Sequence, residues 1–306
     1  MADELTVRRG SPSDVPACLE VLSTSYSSDA FTDEWFSWKH RECPFGPSRI
    51  YLAEERGSIV GLFCALPWRF ATGERAVESV RLVDGAVLPA ARGRGVLGRL
   101  VVAELAEWDP SHRPGLVVAT ATPEAQRSHS RNGATTLEPI HAAYGLPRRF
   151  RREPLHHGVS VLDSYSQPTS PRISTAWTVE ALRWRIDPRS GHQYRAASLA
   201  DSSESNGMIY RAVRRRWGRV LIPLLSWGDT DVRGRLLGAV ARTTQSSIVL
   251  APVDAGATTT EMRPLRTRSG SVVCVWDRRR GSERSPEAVM TRSDWSLSMA
   301  DLEGLI

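Results

Sequence analysis

Apolar and polar positions along the first 150 residues switch between strand-like alternation and helix-like spacing. Residues 5–10 (Leu-Thr-Val-Arg-Arg-Gly) alternate as a strand does. Ser11-Pro12-Ser13-Asp14 then has the form of a helix entry, with a capping serine, proline at the first helical position and an acid at the third. Val15, Cys18, Leu19 and Leu22 continue it at helical spacing. Residues 48–70 read as two strands around an Arg56-Gly57 turn, and residues 77–89 as another strand that ends at Pro89. After Arg92-Gly93-Arg94-Gly95, an apolar helical face is made by Val96, Leu97, Leu100, Val101, Leu105 and Trp108, closed by Asp109-Pro110. Residues 115–121 form a short buried strand, and 122–133 a helix with Pro123 near its start and Gly133 as its stop. The predicted order is β-α-β-β-β-loop-α-β-α-β, an α/β chain with a mixed sheet.

Past residue 146 the pattern turns basic and proline-rich, and residues 164–174 read as a linker or loop. The expected division is a first domain over 1–150, a linker over 151–175 and a second domain over 176–306. The second half faintly echoes the first. Residues 35–51 and 181–194 share a tryptophan followed by a basic residue, then a proline, a glycine and a tyrosine, and each precedes a glycine-containing strand pattern. Such self-similarity implies a duplicated fold. In the second copy, the strand over 219–229 enters a helix without a glycine-rich turn, and Asp229 and Asp231 at that helix start would repel a phosphate. One cofactor site is expected, in the first half, with the second half shaping an acceptor cleft or bracing the sheet.

Composition narrows the class. The 306 residues are 41% hydrophobic and 24% charged, with no apolar run long enough for a membrane helix and no signal-peptide pattern at the N-terminus. Cys18, Cys43, Cys64 and Cys274 are scattered and do not cluster with histidine, which predicts neither a metal site nor a disulfide framework, and a cytoplasmic location. The net charge of +6 suggests an acidic partner, and of the 40 lysines and arginines only Lys39 is a lysine.

The Arg92–Gly95 stretch has two readings. As a solvated turn it needs no ligand. As a strand-to-helix loop it brings the free N–H groups of a helix's first turn to an anion, with Gly93 and Gly95 letting the backbone approach and Arg92 and Arg94 adding charge. The setting resembles motif A of the GCN5-related N-acetyltransferase (GNAT) superfamily, a strand, then R/Q-x-x-G-x-G/A, then a helix. Arg92-Gly93-Arg94-Gly95-Val96-Leu97 matches it through the first required glycine, and Leu97 stands where the second small residue is expected. The resemblance covers about residues 5–145 and implies a GNAT fold, with two tandem GNAT-like domains if the chain is doubled. It implies that acyl-CoA, acetyl-CoA above all, is co-substrate, with its pyrophosphate on Arg92, Gly93, Arg94, Gly95, Val96, Leu97 and Gly98. Main-chain groups near Val87 and Leu88 would take the pantetheine arm. In the next helix Thr122, Ala125, His129, Gly133 and Ala134 fall at family positions, with family identities at Ala125 and Gly133, and Thr122 joins the cofactor set.

His129 stands where many members have a tyrosine that protonates the departing thiolate, so it is either the general acid or a helix-surface histidine. Asp84, an acid inside an apolar strand, is either a general base for the attacking amine or the partner of a core arginine such as Arg81. Glu54, Glu55 and Glu78 are weaker base candidates, and His141 with Tyr144 could line an acceptor pocket. Direct attack by an already neutral amine needs no base. The arginine clusters at 148–153 and 211–219 are either solvated faces or, with Trp217, a docking surface for a polyanion. The expected function is therefore transfer of an acyl group from acyl-CoA to a primary amine of a small molecule. The alternatives are a donor carried by tRNA or by an acyl carrier protein, and a non-catalytic protein that binds coenzyme A or another ligand.

Overall fold

The computed structural model describes residues 5–107, 115–148, 152–202, 205–252, 262–269, 272–277 and 291–301. In chain order the first elements are β1 (Thr6–Arg9), α1 (Val15–Tyr26), α2 (Asp33–Phe36), β2 (Arg49–Glu55), β3 (Ser58–Thr72) and β4 (Arg75–Val87). They are followed by α3 (Val96–Glu107), β5 (Leu116–Ala121), α4 (Pro123–Arg131), β6 (Thr135–Thr136) and β7 (His141–Pro147). The remainder comprises β8 (Leu155–His157), β9 (Ser174–Thr175), α5 (Val179–Arg185), β10 (Arg195–Leu199), β11 (Gly207–Arg215), β12 (Gly218–Trp227), α6 (Thr230–Thr243), β13 (Ile248–Pro252), β14 (Met262–Ser269) and β15 (Val272–Asp277). The chain divides into two compact units, residues 1–71, 75–138 and 272–292 in one, and 72–74, 139–271 and 293–306 in the other.

The first unit is built on a sheet in the order β1-β2-β3-β4-β5-β15-β6. Strand alternation gives it two apolar faces. Tyr51, Ala53, Phe63, Val80 and Val117 pack under α3 through Val96, Leu100 and Val101. Leu52, Leu62, Cys64 and Ala86 face the other way, toward Val15, Cys18, Val21 and Leu22 of α1 and Phe36 of α2. The capping box read at Ser11 and Asp14 is present, and Thr122 caps α4 by accepting from the Ala125 N–H.

The second unit repeats the seven-strand path of the first sheet, in the order β8-β10-β11-β12-β13-β7-β14, without a counterpart of β9, which pairs with β3 at the side of the first sheet. In each sheet the fourth and fifth strands are parallel, β4 with β5 and β12 with β13, and each parallel pair is bridged by a helix, α3 or α6. Val232, Leu236, Leu237 and Val240 of α6 cover this second sheet. The sixth position of each sheet is filled by a strand from the other half of the sequence. β15 pairs antiparallel with β5 in the first sheet, and β7 pairs antiparallel with β13 in the second. The tryptophan-cation echo is structural as well, since Trp38-Lys39 and Trp184-Arg185 are all buried.

Two boundaries fall elsewhere than the composition suggests. The first unit gives way at Glu138 rather than near residue 150, because His141–Pro147 pairs in the second sheet. The stretch expected as a linker over 151–175 carries β8 and a short turn that buries Val161 and Leu162. Its serines and prolines mask those two anchors in a composition scan. Trp108 and Asp109-Pro110, read as the end of α3, lie outside the described residues.

Candidate active site

The site is set by where two parallel strands part. β4 and β5 pair only from Ser79 opposite Leu116 to Leu82 opposite Ala119, although β4 continues to Val87 and β5 to Ala121. Just past the last pair, Asp84 adopts φ +53°, a left-handed conformation that aspartate tolerates better than most side chains. This kink turns the end of β4 out of the ladder and opens a wedge between the strands. Beyond the wedge, Gly93 and Gly95 both have φ +76°, and nothing lies within 4 Å of where a Cβ would stand on either. α3 begins immediately at Val96, so the amides of its first turn lack intrahelical acceptors. Open glycine backbone and a helix start at the end of a strand wedge suit a phosphate.

The arginines of the loop are tied down. Arg92 donates from Nε to the Val87 carbonyl at 3.0 Å and from Nη2 to the Ser25 carbonyl at 3.2 Å. Arg94 makes a two-pronged pair with Glu55. They therefore shape the loop first, and any charge they lend a phosphate comes from that fixed position. Of the two residues expected to meet a pantetheine arm, the Leu88 N–H donates to the Val60 carbonyl at 2.9 Å, and the Val87 carbonyl already accepts from Arg92. Leu97 lies toward Gly85, its Cδ1 being 3.4 Å from a Cβ placed there, and Gly98 faces Ser128 and Asn132 of α4.

Asp84 is held by Lys39 and His40. Lys39 Nζ is 3.0 Å from Oδ1 and 2.9 Å from Oδ2, and His40 Nε2 is 3.1 Å from Oδ2. His40 Nδ1 in turn meets Ser48 Oγ at 2.9 Å. Burial alone would raise this carboxyl, but Lys39 and His40 outweigh it and hold Asp84 well below the usual carboxylate range. Lys39, and not the Arg81 weighed from the sequence, is the cation on Asp84. Arg81 lies over the Trp68 ring at 4.9 Å and donates to Thr120. Tyr26 Oη donates to the Gly85 carbonyl at 2.9 Å, and Tyr26, Phe31 and Trp35 form an aromatic row that ends under Lys39 Nζ.

Residues 6–127 match the family model of the acetyltransferase (GNAT) domain. This chain carries a GNAT domain. Solved structures extend the likeness over nearly the whole length as a likeness of fold. A GCN5-related N-acetyltransferase from Anabaena variabilis is 11% identical with a TM-score of 0.69, covering 90% of this chain and 73% of that one. One from Kribbella flavida is 13% identical with a TM-score of 0.68, covering 89% and 71%. A tandem GNAT protein from the clavulanic acid biosynthesis pathway is 13% identical with a TM-score of 0.52, covering 91% of this chain and all of that one, 100%. No curated protein matches the sequence. The two sheets of the chain are thus tandem GNAT-fold units.

The remaining expected residues scatter. His129 is buried edge-on against Trp276 at 5.2 Å, its Nδ1 has no hydrogen-bond partner, and burial pushes the ring down to about 4. Near neutral pH it is an uncharged ring with no cationic proton to give. The weaker base candidates are each engaged, Glu54 by Arg8, Glu55 by Arg94 and Glu78 by Arg69. His141 and Tyr144 lie on β7 in the second sheet, where Tyr144 packs edge-on against Trp217.

The acidic helix start read in the second half is present, with Asp229 at the cap of α6 and Asp231 in its first turn. Of the arginine clusters, residues 149–151 lie outside the described residues, while Arg211 reaches His192 and Arg219 the Thr244 carbonyl. No group of three potential metal ligands occurs among the described residues, and no helix there is long and apolar enough to cross a membrane.

The residues that sequence reasoning missed are Lys39, His40 and Ser48 around Asp84, and Gly61 under the wedge. A Cβ on Gly61 would stand 2.9 Å from Val96 Cγ1 and 3.2 Å from the Ala86 carbonyl oxygen. One signal for Lys39 was available, a single lysine in a chain whose other basic side chains are arginine.

Proposed function

We propose that the GNAT domain transfers an acyl group from acyl-CoA to a primary amine of a small molecule. The observation that carries this reading is the parting of β4 from β5 after Leu82, closed at its far end by the Gly93–Gly95 turn and the start of α3. The donor's pyrophosphate lies against the amides of the Gly93–Gly98 stretch, and its extended arm runs along the freed edge of β4. The thioester supplies an activated acyl group, which the amine nitrogen takes with release of the thiol.

Asp84 is a positioning residue in this reading. A carboxylate gripped by Lys39 and His40 is a weak base, and its work is to hold the kink that separates the strands. The amine attacks in its neutral form, on the side lined by Tyr26, Phe31 and Trp35, and loses its proton to solvent. His129 is given no proton step.

The test is thiol release from acetyl-CoA in the presence of a panel of primary amines, across pH, for the wild type and Asp84→Asn. Amine-dependent release is expected, with Asp84→Asn slower by ten-fold or more yet unchanged in the shape of its pH profile. Loss of the acidic limb of the profile in Asp84→Asn would instead make Asp84 the base. No release with any amine would count against transfer.

A further inference from the structure

The second unit keeps the cationic half of the Asp84 arrangement without the carboxylate. Arg185, the echo of Lys39, is only 7% exposed. It donates from Nη1 to Tyr194 Oη at 3.2 Å and from Nε to the Ala300 carbonyl at 3.5 Å, and its guanidinium stands 5.3 Å from the Tyr194 ring. Arg211 Nη1 lies 3.1 Å from His192 Nδ1, while its Nε is buried without a partner. Neither arginine meets a carboxylate among the described residues. Other arginines of this unit do, as Arg183 with Asp163, Arg189 with Asp187 and Arg235 with Glu153 show.

His192 and Tyr194, whose ring centroids are 5.5 Å apart, link the two arginines, and desolvation by burial, followed by the like charges of Arg185 and Arg215, lowers the pKa of Arg211. Guanidinium forks match the planar carboxylate in two-pronged fashion, and the Tyr194 hydroxyl adds a third polar group. Beside the cluster lies a cavity of about 340 Å³ whose walls include Ile186, Tyr194, Arg195 and Tyr210. Ile186 and Tyr194, both half-buried, offer apolar surface to the body of a ligand.

We propose that the second unit binds a small organic acid, its carboxylate on Arg185, Arg211 and Tyr194 and its apolar part in the adjoining cavity. The proposal stands apart from the acyltransfer reading, since all its residues belong to the second unit.

The test uses the full chain with carboxyl-labelled ¹³C-acetate as head-group probe, benzoate as the same head group with an apolar body, and inorganic phosphate at matched ionic strength. Acetate's carboxyl line is expected to broaden saturably on adding protein. Benzoate should displace it at a tenth of the concentration phosphate needs, and Arg211→Gln should weaken acetate at least ten-fold. Arg211 is only half-buried, so this variant is expected to keep its far-UV spectrum. A benzoate-dependent rise in melting temperature, present in the wild type and absent in Arg211→Gln, gives a second reading. The proposal is overturned by equal broadening in wild type and variant, by no broadening at all, or by phosphate displacing acetate better than benzoate does. None of these outcomes bears on thiol release from acetyl-CoA.

Discussion

Lys39 is where the chain departs from its own habit of using arginine. Its compact ammonium meets both oxygens of Asp84, while His40 takes one of the same oxygens; a planar guanidinium would present a different, forked geometry there. That arrangement was only half visible in the sequence. An acid in an apolar strand stood out at Asp84, but its partner lies 45 residues away in the single π-helical turn, Ser37–Arg41, that follows α2. His129 was visible as a departure from its family position. Its surroundings were not, because Trp276 comes from the far end of the chain.

The charge state of His129 has a consequence for stability. The folded protein keeps the ring neutral down to about pH 4, whereas the unfolded chain takes up a proton near the ordinary 6.5. Between those values the unfolded state binds more protons. Stability from this group is therefore intact above pH 6.5 and falls toward pH 4, by up to ~3 kcal/mol in all. His129→Phe should flatten the decline in melting temperature between pH 7 and 4.5, followed by thermal melts. A decline as steep as the wild type's would show that the histidine is not held neutral.

At the scale of elements, regular strands and helices were legible because they repeat with periods of two and 3.6 residues. β2, β3, β4, β5, α1, α3 and α4 all occur where alternation or helical spacing placed them. The wedge was not legible, because nothing in the letters says where two parallel strands stop pairing. Its tightness depends on Gly61, which lets the end of β4 and the start of α3 close together. Gly61→Ala would push on Val96 and on the Ala86 carbonyl. A loss of about 1–3 kcal/mol is expected, together with a KM for the acyl donor raised several-fold more than that for the amine. Melting curves and steady-state kinetics check both. A variant with unchanged donor KM would detach Gly61 from the site.

At the scale of the molecule, the duplication was legible only as a faint echo, while the exchange of strands was not legible at all. β15 presents Cys274 and Trp276 to the core under α3, and its pairing partner β5 precedes it by about 150 residues. A fragment ending at residue 150, the boundary that composition suggests, lacks this strand and leaves the β5 edge bare. That fragment is expected to show no cooperative melt by circular dichroism, whereas the full chain melts cooperatively. A cooperative melt from residues 1–150 alone would contradict the exchanged arrangement.

The central claim is that the wedge and its glycine turn hold an acyl-CoA. Calorimetric titration of the full chain with acetyl-CoA, beside Gly95→Val, tests it most directly. Valine at φ +76° is strained enough to disturb the turn. Binding on the order of micromolar by the wild type, at least ten-fold weaker in Gly95→Val, is the predicted result. No heat of binding at millimolar acetyl-CoA, or equal affinity in the two proteins, would contradict it.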